Sequence, residues 1–253
     1  MIEVENLVKT FGDKSIIKGI SFTVKDGEIY GLLGPNGSGK STTMKILVGI
    51  IPPSEGKAIV NGIDVSKDPL RVKRIVGYVP ETPALYESLT PVEFFSLVGS
   101  IRGIPKGELE ERVERLVKAF GIGGYINELI GNLSFGTKQK VSIIAGLLHD
   151  PKVLILDEAI NGLDPRSARI MKELLNGFKD EGKSIVFSTH ILAIAEAVCD
   201  RIGIIYKGEL IAEGTPEQLK SFAHEESLED VFLRLTENQE KVSSLVKALR
   251  EAF

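Results

Sequence analysis

Short apolar runs separated by turn residues occupy the first 65 positions of the chain. Their length and their content of Val and Ile are typical of β-strands, because β-branched side chains fit a pleated surface. The pairs Asp26-Gly27 and Asn61-Gly62 favour tight turns between such strands. The strands that this pattern predicts cover residues 2–8, 20–24, 29–33 and 57–60.

Helical periodicity replaces this pattern between residues 91 and 150. Thr90 followed by Pro91 is a typical helix start, since the hydroxyl can cap the first turn and proline fits its first position. Apolar residues then recur three and four positions apart in VEFFSLVGSI and in ELEERVERLVKAF. A further helix is predicted over residues 139–150. A short strand predicted at residues 74–80 precedes these helices, so we expect a helical subdomain inserted between strands.

Strands and helices alternate again from residue 151 to residue 212. Residues 153–156 and 184–189 are almost continuously apolar, which is typical of parallel strands covered on both faces. A crossover helix is predicted between them, over residues 166–182. A late hairpin is predicted around Lys207-Gly208.

The tail beyond Gly214 is charged and carries two apolar stripes at helical spacing. We expect both stripes to pack onto the body of the protein, and a regulatory or dimer contact is the alternative. The stripes are Leu228, Val231, Phe232 and Leu235, and then Val242, Leu245, Val246 and Leu249.

Composition narrows the class of protein. A chain of 253 residues with 43% hydrophobic and 26% charged residues has enough apolar material for a large core. The net charge of −4 does not favour nucleic acid or an anionic membrane, so no nucleic-acid partner is expected. Cys199 is the single cysteine, which excludes an internal disulfide and fits a reducing compartment. Neither a secretory signal nor a run of ~20 apolar residues is evident, so we expect the chain not to cross a bilayer.

Candidate chemistry begins with GPNGSGKST at residues 34–42, which has the G-x-x-x-x-G-K-[ST] spacing of a phosphate-binding loop. The flanks disfavour a plain glycine-rich turn, because a predicted strand ends at Leu33 and a helix is predicted over residues 42–50. Backbone N–H groups and the helix N-terminus favour phosphate there. We expect Lys40 to reach the β- and γ-phosphates and the Ser41 hydroxyl to bind magnesium. The residues predicted to contact nucleotide are Gly34, Pro35, Asn36, Gly37, Ser38, Gly39, Lys40, Ser41 and Thr42.

The sequence VLILDE at residues 153–158 supplies the second chemical element. A predicted buried strand ends there in Asp157 and Glu158, in the chain order expected after a phosphate loop. Asp157 is a candidate to hold magnesium, directly or through water. Glu158 is a candidate to orient and partly deprotonate the attacking water. The competing interpretation is an exposed acidic pair at a strand end.

Three further segments complete a recognisable set of motifs. LSFGTKQK at residues 133–140 is close to the signature sequence LSGGQ, NGLDP occupies residues 161–165, and STH ends a predicted strand at residues 188–190. Together with the phosphate loop and ILDE, these segments resemble the ATP-binding subunit of an ABC transporter, over essentially the whole chain. The combination is specific, whereas most of its parts alone would not be.

The resemblance implies the fold and its division into parts. We expect an α/β fold with a P-loop NTPase core, built on a RecA-like, mostly parallel sheet. An antiparallel β subdomain and an inserted helical subdomain would complete it. The ATP-binding domain is expected over residues 1–212, with the helical subdomain at about 82–150. A C-terminal helical extension is expected over residues 213–253.

In this family two such subunits bind head to tail with ATP between them, so the resemblance implies residues that serve the partner chain. Ser134 and Gly136 are expected to contact the γ-phosphate bound by that partner, because a serine hydroxyl and backbone N–H groups at a helix start suit an anion. Asp164 is expected to reach across the interface. A local role for Asp164, as the helix N-cap before Pro165, is equally open.

Two more residues acquire roles from the resemblance. His190 is expected to link the γ-phosphate to Glu158, where a lone histidine would otherwise be taken as a surface or core residue. Phe11 occupies the position at which the family stacks an aromatic ring on adenine. Packing of Phe11 in the core is the alternative.

Three residues depart from the family pattern. Glu81 stands where glutamine is usual, and we expect it to join Ser41 and Asp157 as a metal ligand; a solvated loop carboxylate is the alternative. Phe135 and Thr137 replace the usual glycine and glutamine of the signature. We expect Phe135 to adopt ordinary helix-start geometry with its ring turned away from phosphate. Loss of the glycine could still mark a slower composite site.

The function implied by the resemblance is that of an ATPase that uses ATP and Mg²⁺. ATP-driven closure of a homodimer or heterodimer would power a separate integral-membrane permease from the cytoplasmic, inner face of the cell membrane. The docking groove for the permease is expected between the core and the helical subdomain, near Leu85 and Tyr86. SLEDVFLRLT in the tail is more similar to export-type systems. The alternatives are a soluble ABC-type ATPase that acts as a scaffold or cofactor-assembly factor, and a nucleotide-gated module that hardly hydrolyses ATP.

Overall fold

An antiparallel sheet of four strands is the first unit of the computed structural model, which describes residues 1–223, 225 and 227–236. Its spatial order is β2-β1-β4-β5, where β1 is Ile2–Phe11, β2 is Lys14–Val24, β4 is Glu55–Val60 and β5 is Ile63–Asp64. The strands predicted at residues 2–8, 20–24 and 57–60 lie within β1, β2 and β4, so these predictions are confirmed. β1 and β2 extend further than predicted, up to a turn at Gly12, which has a left-handed φ of 56°.

A second sheet has six strands, of which five run parallel and one edge strand pairs antiparallel with its neighbour. In spatial order they are β10 (Glu209–Gly214), β9 (Arg201–Tyr206), β3 (Ile29–Leu33), β8 (Ser184–Thr189), β7 (Val153–Asp157) and β6 (Val76–Val79). Every residue of β3, β7 and β8 is buried, as expected for strands covered on both faces. The predicted buried strands and the late hairpin are therefore confirmed.

Helices connect the parallel strands. α1 (Lys40–Leu47) follows β3, α6 (Pro165–Asp180) lies between β7 and β8, and α7 (Leu192–Val198) lies between β8 and β9. The helix predicted at residues 42–50 is displaced, because α1 begins at Lys40 and its turns end before Gly49, whose φ of 71° is left-handed. The crossover helix α6 is confirmed, and α7 was not predicted.

The segment before β6 differs from the prediction. The strand predicted at residues 74–80 is wrong at its start, because Arg74 and Ile75 belong to α2 (Pro69–Ile75). Asp68 explains this helix, since its side chain accepts a hydrogen bond from the Arg71 amide at 3.0 Å and Pro69 occupies the first turn.

Three helices lie between β6 and β7, namely α3 (Pro91–Arg102), α4 (Lys106–Phe120) and α5 (Phe135–Leu147). The predicted start of α3 is confirmed, because Thr90 and Glu93 form a reciprocal capping box. α5 begins at Phe135, earlier than the predicted start at residue 139. The cause is Ser134, whose hydroxyl oxygen accepts a hydrogen bond from the Thr137 amide at 3.3 Å.

Two clusters of buried apolar side chains hold the two sheets and the helices together. α8 (Pro216–Ala223) and α9 (Leu228–Leu235) belong to the cluster that also contains the helices between β6 and β7. Leu228 and Val231 are buried in it, and Phe232 and Leu235 pack against it, so the first predicted tail stripe is confirmed. The second predicted stripe, at residues 242–249, lies outside the described residues. Among the helices that the structure describes, none has both the length and the hydrophobicity to span a bilayer.

His149, which matches no motif, lies just beyond α5 and has a structural partner. Its Nε2 atom lies 3.1 Å from the Val76 carbonyl oxygen. Burial lowers the pKa of His149 to about 4, and the charges of Arg102 and Arg112 act in the same direction, against the opposite effect of Asp150. The folded protein therefore holds this imidazole neutral at pH values where the unfolded chain is protonated.

We expect this histidine to make the protein less stable in acid. Because the pKa is lowered on folding, its contribution is complete above about pH 6.5 and is lost as the pH falls towards about 4. Between about pH 7 and about pH 5, the free energy of unfolding should fall by roughly 1–2 kcal/mol more in the wild type than in His149→Gln. Glutamine can keep a hydrogen bond to Val76 and does not titrate. Urea unfolding at the two pH values measures the difference, and an equal fall in both proteins would contradict the assignment.

Candidate nucleotide-binding site

The phosphate loop connects β3 to α1 and is held in shape by glycines and backbone hydrogen bonds. Gly39 has a φ of 115°, which residues with a Cβ rarely adopt. A Cβ on Gly34 would lie 2.3 Å from the Ile205 carbonyl oxygen, so only glycine fits there. The Gly208 amide donates a hydrogen bond to the Ser38 carbonyl oxygen at 3.1 Å and ties the loop to the β9–β10 hairpin. The second sheet therefore holds the loop in place.

Lys40 lies buried at the first turn of α1. Its Nζ atom donates to the carbonyl oxygens of Gly34 at 2.7 Å and of Pro35 at 3.2 Å, and it lies 3.7 Å from Glu158 Oε1. Burial lowers the pKa of Lys40, and the nearby carboxylates, above all Glu158, act in the opposite direction. The loop carbonyls thus hold the ammonium beside the buried glutamate.

A cavity of about 460 Å³ opens over the phosphate loop. Phe11 lines it with 50% of its surface exposed, so the alternative of a core role for Phe11 is wrong. Lys14 and Ile16, near the β1–β2 turn, also line the cavity. They were not predicted, because no phosphate-binding pattern marks that turn. The remaining lining residues belong to the predicted site: Asn36, Gly37, Gly39, Lys40, Ser41, Thr42, Glu81 and Glu158.

The acidic pair at the end of β7 is buried. Asp157 is 1% exposed and Glu158 is 4% exposed, so the alternative of an exposed acidic pair is wrong. The Ser188 hydroxyl donates to Asp157 Oδ1 at 2.7 Å and accepts from the Glu158 amide at 3.0 Å. One serine of β8 thus fixes both residues, and sequence reasoning missed it, although it belongs to the STH segment.

Polar groups converge on the Glu158 carboxylate. Asn161 Nδ2 donates to Glu158 Oε2 at 2.6 Å, and His190 Nδ1 lies 2.5 Å from the same oxygen. The backbone of Glu158 is left-handed, with a φ of 50°, which costs a non-glycine residue about 1–2 kcal/mol. The structure therefore places His190 beside Glu158, as expected, and brings Lys40 to the same carboxylate. Asn161 was missed, although it lies in the NGLDP segment.

The oxygen donors near the cavity fit a magnesium ion. Ser41 and Glu81 line the cavity and Asp157 ends the neighbouring buried strand, so a hydroxyl and carboxylates are at hand, as hard cations prefer. The Ser38 hydroxyl is buried with no hydrogen-bond partner among the described residues, as expected of a loop shaped for an anion. Within residues 1–223, 225 and 227–236, no group of three or more His, Cys, Asp or Glu side chains is placed to hold a metal ion by itself. Magnesium commonly uses one or two carboxylates and substrate phosphates instead.

Ser134, Gly136 and Asp164 lie outside this cavity. Ser134 caps α5, and Gly136 lies in its first turn. Asp164 caps α6, since its Oδ1 accepts from the Ser167 amide at 3.0 Å, which confirms the local role that the sequence left open. Phe135 has no left-handed φ, so its predicted helix-start geometry is also confirmed.

A phosphate loop after a buried parallel strand, with a buried Asp-Glu pair at the end of a second such strand, defines an ATPase of the P-loop class. The family model described as "ABC transporter" matches residues 17–161, more than half of the chain. The chain belongs to the ABC transporter family, in which ATP binding and hydrolysis are characteristic.

Two curated relatives and two solved structures illustrate the likeness. Linearmycin resistance ATP-binding protein LnrL of Bacillus subtilis is 38% identical over 221 residues, which cover 87% of this chain and 71% of LnrL. The probable multidrug ABC transporter ATP-binding protein YbhF of Escherichia coli is 37% identical over 252 residues, and the chain spans only 43% of YbhF. The structure of an ATP-binding subunit of an ABC transporter matches with a TM-score of 0.87 and 34% identity, over 93% of this chain and 99% of that one. A dimeric bacterial ABC transporter cassette matches with a TM-score of 0.79 and 25% identity, over 85% and 98%.

These comparisons confirm the predicted family and the α/β P-loop fold. They also confirm the expectation of an ABC-type ATPase.

Proposed function

We propose that this chain is the ATP-binding and hydrolysing subunit that powers a separate integral-membrane permease through ATP-driven dimer closure. Residues 1–212 form the ATP-binding domain in this proposal, with residues 82–150 as its helical subdomain and residues 213–253 as an extension. The subunit works at the cytoplasmic, inner face of the cell membrane, where the permease holds it. Its second partner is another ATP-binding subunit, identical or related.

The main support for coupling to a permease is that one segment, residues 81–85, lines two cavities. Glu81 lines the cavity over the phosphate loop, whereas Thr82, Ala84 and Leu85 line a separate groove of about 630 Å³. The walls of the groove come from both sides of the predicted subdomain boundary: Val76 and Tyr78 of β6, and Phe94 and Val98 of α3. A partner helix or loop seated in the groove would therefore respond to movement at the nucleotide.

The proposed dimer is supported by the separation of the predicted nucleotide-contacting residues into two places on the subunit. Ser134, Gly136 and Asp164 lie away from the subunit's own cavity, yet the start of α5 presents a hydroxyl and backbone N–H groups suited to a phosphate. A head-to-tail partner would receive this helix start over its bound nucleotide. The existence of a dimeric cassette among the structural relatives supports this arrangement.

Hydrolysis in this proposal is mainly positioning and charge stabilisation. Lys40 leaves the loop carbonyls for the β- and γ-phosphates, and Phe11 stacks on adenine. Glu158 accepts a proton from the attacking water, while Asn161 and His190 hold its carboxylate in place.

Ser41, Asp157 and Glu81 are the proposed magnesium ligands. A bound magnesium ion supplies charge neutralisation at the phosphate oxygens. Glu81 is exposed and therefore stays solvated when no nucleotide is bound. We expect its contribution to magnesium binding to depend on bound nucleotide more than those of Ser41 and Asp157.

The permease groove can be tested by replacing a partly buried and an exposed apolar residue at its edge. Leu85 lines the groove, and Tyr86 is exposed next to it with its ring centroid 6.3 Å from that of Phe94. We expect Leu85→Ala with Tyr86→Ala to weaken co-purification with the permease, sought among multi-span membrane proteins of the same cell, by about tenfold or more, the usual result of truncating interface anchors. The ATPase activity of the isolated subunit should be retained.

The control changes the same two residue types at exposed positions outside the groove, Tyr125→Ala with Leu129→Ala. Loss of co-purification only in the Leu85/Tyr86 variant supports the groove. Full retention in both variants would count against the groove. Failure of the wild type to capture any membrane partner would instead favour the scaffold alternative.

A further inference from the structure

The first turn of α5 and the loop after Glu158 are joined by contacts that the proposed mechanism does not use. We define the helix–loop brace as four residues of α5 and three of the loop that they contact. The α5 residues are Phe135, Gly136, Gln139 and Lys140, and the loop residues are Ala159, Gly162 and Asp164.

The centre of the brace is an aromatic ring on a glycine. A Cβ built on Gly162 would lie 2.7 Å from Cε1 and 2.8 Å from Cδ1 of Phe135. The ring therefore occupies space that only a glycine leaves free, and Gly162 also has a left-handed φ of 78°. A Cβ on Gly136 would lie 2.7 Å from the Gly162 carbonyl oxygen, so the two backbones are also close.

Polar contacts hold both ends of the loop. Gln139 is fully buried, and its Nε2 atom donates to the Ala159 carbonyl oxygen at 3.0 Å, one residue beyond Glu158. Lys140 Nζ lies 2.6 Å from Asp164 Oδ2. Hydrogen bonds from Lys140 and from Ser167 hold the pKa of Asp164 well below its usual range.

We propose that Phe135 is a positioning residue that, through the brace, makes the start of α5 and the loop carrying Glu158 move as one body. This inference rests on the proposed function, in which Ser134 serves the partner's nucleotide and Glu158 serves the subunit's own. The brace then connects the two ATP sites within one subunit, because displacement of α5 at one site moves the catalytic loop of the other. The residue that replaces the usual signature glycine thus has a role on its own subunit.

The brace can be tested first in nucleotide-free protein by hydrogen exchange of peptides from residues 158–168. We expect exchange there to be about three- to tenfold faster in Phe135→Ala, because the loop loses the aromatic ring that packs on Gly162. Phe135→Leu, which keeps an apolar side chain on Gly162, should restore exchange to near the wild-type rate. Tyr125→Ala is the matched control, since Tyr125 is 45% exposed and Phe135 is 50% exposed. Equal exchange in the wild type and Phe135→Ala would overturn the brace.

Steady-state kinetics separate positioning from a merely structural role. We expect kcat of Phe135→Ala to fall by about three- to tenfold while KM for ATP stays within about twofold, because the phosphate loop is untouched and only the catalytic loop is misplaced. Phe135→Leu should recover kcat. Faster exchange with an unchanged kcat would overturn the positioning role. Because the exchange comparison needs neither nucleotide nor partner, it decides the brace even if the dimer or the permease coupling proves wrong.

Discussion

Replacement of Glu158 by glutamine is expected to leave ATP bound but to reduce turnover by about 10²–10⁴-fold, the scale for loss of a general base. The carboxylate is buried between Lys40, Asn161 and His190, so glutamine of nearly the same shape fits the site. It cannot accept the proton of the attacking water, however. Phosphate release under saturating Mg-ATP measures turnover, and a fluorescent ATP analogue measures binding.

Glu173→Gln is the control for this prediction, because Glu173 is an exposed carboxylate on α6, outside the nucleotide cavity. Its turnover should equal that of the wild type. A Glu158→Gln protein that releases phosphate at the wild-type rate would refute the assignment of the base and reopen the question of which group activates water.

Removal of the Lys40 ammonium is expected to weaken ATP binding by about 10–100-fold. Hydrogen bonds to charged groups contribute about 1.5–3 kcal/mol each, and each 1.4 kcal/mol is about tenfold in the dissociation constant. The buried position of Lys40, beside the loop carbonyls and Glu158, concentrates this effect at the phosphates. Binding of a fluorescent ATP analogue to Lys40→Ala and to the wild type measures the loss.

Lys45→Ala provides the comparison, since Lys45 belongs to the same helix but is exposed and lies outside the cavity. It should bind ATP as the wild type does. Thermal unfolding of both variants without nucleotide checks that α1 is intact. Wild-type affinity in Lys40→Ala would mean that the loop amides alone hold the phosphates.

The parts of the fold that the sequence reveals are those in which burial constrains every position. β3 and β8 could be predicted to the residue, because a strand covered on both faces is apolar throughout. The starts of α2 and α5 could not be predicted as well, since each depends on a single capping side chain. Asp68 and Ser134 set the starts of α2 and α5, and neither prediction used them as caps.

The residues of the nucleotide site also differ in how well the sequence predicts them. The phosphate loop has a required spacing, so its residues could be found from the sequence alone. Residues that act by supporting others have no such spacing: Asn161 and Ser188 are recognised only once the fold brings them to Glu158. Exposure settled two further points that sequence left open, because Phe11 proved half-exposed at the cavity and the Asp157-Glu158 pair proved buried.

Whether two subunits pair around ATP can be measured as the mass of Glu158→Gln in solution, by light scattering with saturating Mg-ATP and again with Mg-ADP. We expect a dimer with ATP and a 27.6-kDa monomer with ADP, since trapped nucleotide should hold two chains together. A monomer in both conditions, with the membrane partner present as well as absent, would contradict it.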